Sequence, residues 1–520
     1  DGLGDLQEYE LQWNVLVNDP AQDYGTPQNS QWQPKVVALG DTVVVGYWDS
    51  NQGAFGLGHY DASGLMRIVA WSVSRDGGRT FTDMGVPPLS TDPAYGDAGD
   101  PVLALDHVSG TIYYAGTSEI NPSRYYGVPL WKSQDLGATF TRCPIIFEQL
   151  QNSDYPWIAV DDWPGTGQHD VYLTMWNRGG SDIHYAVSQD GSGGNWITQP
   201  SIGSGKPHMQ QMVVGPNHVL YVAWRQDIPE GNPLKKKLKI NSFTERGELP
   251  LLADDIVDIE AVYEENEWFI RLLRSNSAGS DDYFKAFIIP ALAVNPDANP
   301  IRRDDLYVVY ADKGENTGDR ADSFLVYSKD GGASWEPKQQ VSTVWANDQW
   351  MPMVTVRPNG NQLFIAWCDR RGDVAQNSLI DLYGRFGTIA TDGTVTLAPA
   401  DFRITTTSFP PAFPGALSEN TQQWHYDPVW PPGYPSAPEW VNLHWRYPWL
   451  PPPPENEDDW SAGDNATWDT YAHEHGEHNG LYADLNYVYL VWSDNRLGSL
   501  GTAHPDRRQS DVRLARISWP

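Results

Sequence analysis

Acidic, basic and imidazole side chains recur at two kinds of position along this chain, where they could perform acid–base chemistry. One set ends apolar stretches: "AWCDRRGD" supplies Asp369, Arg370 and Arg371. The other set opens apolar stretches: "GDAGDPVLALD" and "SDYPWIAVD" supply Asp97, Asp100, Asp154 and Tyr155. Paired carboxylates can divide the general-acid and the nucleophile or base roles in cleaving a glycosidic bond, and arginine forks bind carboxylates or sulfates.

The sequence therefore offers a candidate site with two groups of residues. The catalytic candidates are Asp97, Asp100, Asp154 and Asp369. The substrate-binding candidates are Arg225, Arg370, Arg371, Arg496, His208, Tyr155, Trp350 and Trp445. The alternative for any single member is structural, because Trp-x-Asp-x-Arg recurs and its Asp and Arg could pair between neighbouring repeats.

A histidine cluster, "HEHGEH" at residues 473–478, is a candidate metal site. His473, His475 and His478 are ligands suited to zinc or copper, although the spacing is not the His-Glu-x-x-His of a helical zinc site. A solvated histidine-rich loop and direct substrate contact are the alternatives. Calcium could bind the acidic face, but no EF-hand-like spacing supports it. No cofactor is required by these motifs, and Ca²⁺ or a transition metal is the candidate.

The elements that must position these side chains are repeated strands. Each repeat opens with a polar loop and an apolar strand, usually with a proline, such as "QWQPKVVAL", "SDYPWIAVD" and "QWMPMVTV". A second apolar strand follows, such as "TVVVGYWDS" or "LFIAWCDRR". Seven such units, each a four-stranded antiparallel sheet, predict an all-β fold, a single β-propeller, with six blades as the alternative count. The N-terminal "LQWNVLV" is predicted to join the last blade and close the ring.

A turn motif recurs between the third and fourth strands. It reads "SVSRDGGRTF" at residues 72–81 and returns as "KSQDLGATF", as "VSQDGSGGNW" with an insertion, and as "YSKDGGASW". Asp and Gly favour a hairpin turn in which the Asp side chain binds backbone amides, and an aromatic residue opens the next strand. These Asp residues are predicted to be structural.

The motif, with Ser74, Ser133, Ser188 and Ser328 as its first residues, resembles the Asp-box, or bacterial neuraminidase repeat, of sialidase-superfamily propellers. The resemblance covers nearly the whole chain and implies that the functional face is opposite the Asp-boxes, at the start of each first strand. A standard sialidase has an Arg-Ile-Pro motif in its first blade, and this chain has none. The resemblance therefore implies a scaffold and assigns no catalytic residue.

Two segments interrupt the single propeller expected over residues 1–520. Residues 228–285 form an extended blade-four insertion with extra strands or a short helix. Residues 408–470 form a Trp/Pro-rich insertion between the last two blades, on the functional face. Aromatic side chains there could stack on sugars or anchor a protein partner.

The composition of the chain narrows the classes of molecule that it could bind. Lys and Arg total 35 against 67 Asp and Glu, which gives a net charge of −32 and disfavours nucleic acid and anionic membrane surfaces. No apolar run is long enough for a membrane span. A chain starting at Asp1 without Met is typical of a processed protein, so a secreted, extracellular or periplasmic location is expected.

The function predicted from the sequence is a secreted, glycan-directed propeller, as a glycoside hydrolase or related polysaccharide-processing enzyme. Whether it is an enzyme is left open by the sequence. The alternative is a non-catalytic extracellular propeller that binds a glycan or protein partner or joins an extracellular assembly. A metal-dependent enzyme using the 473–478 histidines is the second alternative.

Overall fold

In a computed structural model of the chain, seven antiparallel sheets of four strands each are arranged as a seven-bladed β-propeller. The predicted all-β fold and the count of seven are confirmed. The structure describes residues 11–19, 31–49, 69–88, 95–120, 124–151, 153–177, 182–203, 207–228, 235–244, 246–260, 269–273, 283–297, 302, 304–314, 319–409, 478–494 and 511–520. Within these ranges there is no α-helix, and a 3-10 turn lies at Arg371–Asp373.

The strands follow the chain in blade order, after an N-terminal strand β1 at Leu11–Leu16. Blade 1 contains β2 to β5, at Gln31–Leu39, Thr42–Asp49, Val69–Ser74 and Thr82–Asp83. Blade 2 is built on β6 (Tyr95–Leu105), β7 (Ile112–Ile120), β9 (Leu130–Ser133) and β10 (Thr141–Arg142), and β8 (Arg124–Val128) pairs with β11 (Ile146–Gln151) beside it. Blade 3 contains β12 to β15, at Ser153–Asp161, Asp170–Asn177, Asp182–Ser188 and Trp196–Thr198.

The second half of the ring repeats this plan. Blade 4 contains β16 to β19, at Pro207–Val214, Leu220–Ile228, Lys235–Thr244 and Leu249–Ile259. A separate hairpin follows, of β20 (Phe269–Leu273) and β21 (Tyr283–Phe287). Blade 5 contains β22 to β25, at Ala291–Val294, Leu306–Lys313, Ala321–Ser328 and Gln339–Gln340. Blade 6 contains β26 to β29, at Gln349–Val356, Gln362–Asp369, Asp381–Ile389 and Val395–Leu397, and β30 (Phe402–Arg403) pairs with β28. Blade 7 contains β31 to β33, at Gly480–Ala483, Tyr487–Asp494 and Asp511–Ser518.

The two ends of the described chain close the ring together. Strand β1 pairs antiparallel with β33 and becomes the outer strand of blade 7, as predicted. Just beyond β1, the side-chain amide of Asn18 donates to Asp511 Oδ1 at 3.1 Å and to Gln31 Oε1 at 3.3 Å, and its oxygen accepts from the backbone of Val512 at 2.9 Å. Asn18 therefore joins blade 7 to blade 1 at the point where the ring closes.

The core lies between the blades. Each blade packs on a neighbour through both faces, so its central strands are buried on both faces and read as continuous apolar runs instead of alternating ones. Strand β23 is buried over Leu306–Asp312, and β24 is buried along its whole length. This explains why the second strand of each repeat was the clearest signal in the sequence.

Three of the four predicted Ser–Asp turns share one hydrogen-bond pattern. In the first, Ser74 Oγ donates to Asp76 at 2.8 Å and accepts from the Gly78 N–H at 2.8 Å, while Asp76 accepts from Thr80 N–H at 2.9 Å. The turns that begin at Ser133 and Ser328 repeat these contacts. Slight burial acts to raise the pKa of Asp76, but the hydrogen bonds, chiefly from Thr80, outweigh it and lower this pKa to about 2. The structural prediction for these Asp residues is confirmed.

The fourth turn differs because of its insertion. Ser188 Oγ donates to the Gly194 carbonyl at 2.6 Å, and Asp190 accepts from both the backbone and hydroxyl of Ser192. Asp190 still caps the turn, although the inserted residues make this turn longer than the other three.

The two insertions are described to different extents. In residues 228–285, the described part adds strands: β20 and β21 pair with each other, so residues 269–273 are not the helix that was the alternative. The Trp/Pro-rich segment lies outside the described residues except for residues 408 and 409. Among the residues that the structure describes, none belongs to a helix long and apolar enough to span a bilayer.

Candidate functional site

The opening strands of five blades carry the same irregularity near the channel mouth. A non-glycine residue there has a left-handed φ of 48° to 57°: Gln33, Asp100, Tyr155, Met209 and Met351. Each coincides with a shift of register between the first and second strands of its blade. Such a β-bulge adds an unpaired residue and redirects the local side chains. Left-handed backbone costs about 1–2 kcal/mol per residue, so the ring of bulges stores strain where the strands enter the channel.

Proline explains part of this geometry. A proline follows the bulge residue in four of the five strands, as in Gln33-Pro34 and Tyr155-Pro156. Because proline has no N–H, it cannot donate to the strand ladder, and an unpaired position is where a sheet tolerates it. The recurrent proline noticed in the sequence is therefore the mark of a bulge.

Two of the predicted catalytic residues meet at these bulges. Asp100 is the bulge residue of blade 2, Asp154 directly precedes the bulge of blade 3, and their carboxyl groups share a hydrogen bond. Burial, then the charge of Asp154 and this hydrogen bond, raise the pKa of Asp100 well above its usual value, while hydrogen bonds from the Tyr155 backbone and the Gln33 side chain act in the opposite direction. Two carboxyl groups this close cannot both ionise easily, so the pair holds a proton in a range where an ordinary aspartate has lost it.

Beside the pair, side chains from blades 1, 3 and 7 meet across the channel. The Tyr155 and His478 rings lie 5.6 Å apart between centroids, and the Trp157 and His478 rings 6.2 Å apart. Blades 3 and 7 are separated in the ring by blades 1 and 2, so these contacts pass through the channel. Lys35, on β2 of blade 1, places Nζ 4.4 Å from the Trp157 ring centroid and 3.3 Å from the Asn479 carbonyl oxygen.

The basic groups of this cluster have lowered pKa values. Burial lowers the pKa of Lys35 to about 7. Burial and then the charge of Lys35 lower the pKa of His478 well below its usual range. His478 was a predicted metal ligand, but the described part of the chain holds no group of three or more His, Cys, Asp or Glu side chains suited to a metal. His473 and His475 lie outside the described residues, so the metal site stays a prediction.

A second group lies between blades 3 and 4. His208 on β16 packs against Trp176, with ring centroids 3.5 Å apart, and pairs in register with Arg225 on β17. Arg225 is fully buried and forms an ion pair with Asp227 at 3.5 Å. Burial lowers the pKa of Arg225 to about 10, and Asp227 offsets part of that effect.

A third group, on blade 6, is a network of ion pairs. Arg371 donates to Asp369 through Nε at 2.9 Å and to Asp401 at 2.8 Å, and the Trp367 indole donates to Asp369 at 2.8 Å. Burial raises the pKa of Asp369, and hydrogen bonds and charge from Arg371 oppose that rise. Blade 7 repeats the indole contact between Trp492 and Asp494 at 2.8 Å, which supports the structural interpretation of the motif.

The pairing of these residues needs one correction. The Asp and Arg of the motif were expected to pair between neighbouring blades, but Asp369 and Arg371 pair within blade 6. Arg370 likewise lies 3.2 Å from Asp348, which directly precedes β26 of the same blade, and stacks on Trp350 at 5.4 Å. Arg371 opens the 3-10 turn two residues after Asp369 ends β27, and its backbone N–H also donates to Asp369 at 2.7 Å, so the pairing stays local.

The structure thus groups only some of the predicted site residues. Asp100, Asp154, Tyr155 and His478 come together, while His208 with Arg225, and Trp350 with Asp369, Arg370 and Arg371, form two separate groups. Asp97 lies on β6 opposite Ser118. Trp445 and Arg496 lie outside the described residues. Lys35 was missed, although a single lysine in the apolar strand "QPKVVAL" was a readable signal.

Comparisons with known proteins find distant structural similarity only. No family model and no curated protein matches the chain. A protein of unknown function from Dyadobacter fermentans DSM 18053 aligns over 99% of this chain and 100% of its own, at 11% identity and a TM-score of 0.44. An α-L-arabinofuranosidase from Fusarium graminearum covers 69% of this chain and 92% of its own, at 14% identity and a TM-score of 0.44.

A third similar structure is a sialidase-type enzyme. The intramolecular trans-sialidase from Ruminococcus gnavus, in complex with oseltamivir carboxylate, covers 67% of this chain and 91% of its own, at 13% identity and a TM-score of 0.37. The chain is a seven-bladed propeller with distant structural similarity to arabinofuranosidases and sialidases. At these identities the comparison assigns no role to any residue.

Proposed function

We propose that the protein is a glycan-processing enzyme, a glycoside hydrolase or a related polysaccharide-processing enzyme, with Asp100 as its proton donor at the channel mouth. The observation that carries the proposal is the hydrogen-bonded Asp100–Asp154 pair, which is half-buried on the opening strands of blades 2 and 3. Cleavage of a glycosidic bond needs a carboxylic acid that is still protonated near the working pH, and a like-charged neighbour in a desolvated site supplies it.

The pair fills one catalytic role and not two. Opposed carboxyl groups of glycoside hydrolases are about 5–10 Å apart, with the sugar between them. Asp100 and Asp154 are in hydrogen-bond contact, so Asp154 acts as a positioning residue that keeps Asp100 protonated. The base or nucleophile then comes from another side chain, and Asp97, three residues before Asp100 on β6, is our candidate.

Aromatic rings beside the pair suit a sugar substrate. Trp157 is half-buried and stacks at 6.3 Å on Tyr155, the residue that follows Asp154. A partly exposed indole next to a proton donor is the arrangement on which a sugar ring can stack. Action outside the cell or in the periplasm, and contact with a glycan or protein partner through Trp445 and the rest of residues 408–470, remain part of the proposal.

The test is a hydrolysis screen on neutral and acidic oligosaccharides with wild type, Asp100→Asn, Asp154→Asn and the exposed control Asp254→Asn. We expect turnover in wild type and Asp254→Asn and a loss of about 100-fold or more in Asp100→Asn. Asp154→Asn should shift the acidic side of the pH–rate profile, because it changes the group that holds the proton on Asp100. Melting temperatures show whether each variant is folded.

Two results would favour the alternatives. Glycan binding with no turnover on any substrate would mean a non-catalytic platform. Turnover that is lost on treatment with a chelator and restored by zinc or calcium would favour the metal-dependent enzyme.

A further inference from the structure

We infer that Lys35 is an anion-binding subsite, so that the preferred substrate is a sugar bearing a carboxylate or sulfate group. The inference rests on the proposed function for the place of catalysis, but the anion site itself is argued from Lys35 and its neighbours. It concerns which glycan the site prefers, and the acid pair does not itself bind the anion.

Lys35 lies where blades 1, 3 and 7 approach one another, and its side chain is half-buried. From β2 of blade 1 the side chain reaches Trp157 of blade 3 and the Asn479 carbonyl of blade 7. Blade 7 is pressed close here, since a Cβ on Gly480 would lie 2.9 Å from the Lys35 Cα. An ammonium group has three donors, and within the described ranges the Asn479 carbonyl is the hydrogen-bond acceptor found for it.

The charge of Lys35 also lacks a counter-charge in the part of the chain that the structure describes. Among the described residues, no carboxylate lies within ion-pair distance of its Nζ, whereas Arg370 has Asp348 and Arg371 has Asp369 and Asp401. Those two guanidiniums are already neutralised by the fold. A partly buried cation without a partner is costly to keep, and an anionic ligand would remove that cost.

The neighbours of Lys35 shape a site for an anionic sugar. Trp157 offers a ring face next to the amine, which can hold the sugar while the amine holds its charged substituent. Gln33, two residues earlier on the same strand, contacts Asp100. An anion held at Lys35 would therefore lie on the same strand that contacts the acid pair.

Binding should be coupled to a proton. Burial lowers the pKa of Lys35 to about 7, so the free amine is partly neutral near that pH, and an anion that binds the ammonium form draws in a proton. Among the described residues, the titratable group found beside the amine is His478, which lies just before β31 and whose pKa the charge of Lys35 lowers. Affinity for an anionic sugar should therefore fall as the pH rises from 6 to 8.

The experiment is titration calorimetry with a matched pair of probes, tri-galacturonate and its neutral methyl ester, and a sulfated galactose trisaccharide as a third. The variants are Lys35→Gln, Lys35→Arg and Lys132→Gln, a lysine beside the turn at Ser192. We expect wild type, Lys35→Arg and Lys132→Gln to bind at least one anionic probe about 10-fold or more tighter than the ester, and Lys35→Gln to lose the preference. Carboxylate and sulfate are distinguished by which probe is preferred.

A second readout reports the proton directly. Titrations at pH 7.5 in two buffers of different ionisation heat should show net proton uptake in wild type and none in Lys35→Gln.

Equal affinity of wild type for the anionic probes and the ester, or an unchanged preference and proton uptake in Lys35→Gln, would overturn the inference. Cleavage of neutral glycans with no preference for anionic sugars would support the proposed enzyme and reject the anion site at Lys35. Tight, Lys35-dependent anion binding without turnover would leave the anion site standing and reject the enzyme.

Discussion

Asp100 and Asp154 lie on the opening strands of neighbouring blades, and their carboxyl groups share one hydrogen bond at the channel mouth. Each of the two strands carries a bulge beside its acid, and a β-bulge redirects the local side chains. Asp100 and Tyr155 both have a left-handed backbone, which is strained. This strain accompanies the contact between the two acids.

The first prediction concerns pH and stability. Because the pKa of Asp100 is raised by folding, its contribution to stability is present below the ordinary aspartate pKa and is lost as the pH rises through the raised value. Wild type should therefore lose more unfolding free energy between pH 5 and pH 8 than Asp100→Asn, by up to about 1.4 kcal/mol per pH unit. Urea unfolding at both pH values measures the difference.

Other aspartates also have raised pKa values, so they too make the free energy of unfolding fall as the pH rises. The comparison therefore needs a control variant. Burial raises the pKa of Asp161 to about 6 and that of Asp305 to about 7, so wild type and variant share a background slope. Asp254→Asn, at an exposed position, is the matched control variant. Parallel curves for wild type and Asp100→Asn would contradict the raised pKa.

The second prediction separates a structural role from a catalytic one on blade 6. Arg371→Gln leaves the buried Asp369 carboxylate without its main cation, and we expect a loss of about 3–5 kcal/mol in the free energy of unfolding. Lys338→Gln removes a more exposed pair with Glu260 and should cost about 1 kcal/mol or less. Equal losses in the two variants, or loss of turnover in an Arg371→Gln protein of wild-type stability, would argue against a structural Arg371.

The third prediction tests the Ser–Asp turns. Asp135 accepts hydrogen bonds from Ser133 Oγ at 2.7 Å and from the Thr139 N–H at 2.9 Å. Asp135→Ala should lower the free energy of unfolding by about 1–2 kcal/mol without changing ligand binding, because the turn lies away from the channel mouth. The exposed neighbour Gln134 provides the control, and a Gln134→Ala variant that loses as much would show that the capping bonds contribute nothing.

The fourth prediction tests ring closure. Asn18→Ala removes the amide that joins Gln31, Asp511 and the Val512 backbone, and a loss of about 2–3 kcal/mol is expected in denaturant unfolding. The exposed Asp19→Ala is the matched control. If both variants unfold at the same denaturant concentration, the closure does not depend on Asn18.

The repeats made much of this fold predictable. Each blade carries the same local signals, so seven second strands and the turns at Ser74, Ser133 and Ser328 could be recognised without knowing how the blades meet. The N-terminal strand could be assigned to the last blade because a propeller must close. Local rules suffice where partners are near in sequence.

The site was less predictable because its contacts are not local. Lys35 meets Trp157 and Asn479, and no spacing in the sequence signals contacts between residues so far apart. The prolines after Gln33, Asp100 and Tyr155 were visible, but the left-handed backbone before them depends on the register of the neighbouring strand. The pairing of Asp369 with Arg371 within one blade, by contrast, could have been read from their two-residue spacing.

The contact of Tyr155 with His478 spans the central channel, and Trp157 and Lys35 meet beside it. Among the residues that the structure describes, these side chains lie across the axis of the ring and narrow it. A polymer threaded from one face to the other would have to displace them, so we expect the product to leave by the opening through which the substrate entered. The proposed enzyme would then cleave either at a chain end that enters the channel mouth or within a chain that binds across it. In both cases it would release the polymer after each cleavage, so we expect it to be non-processive.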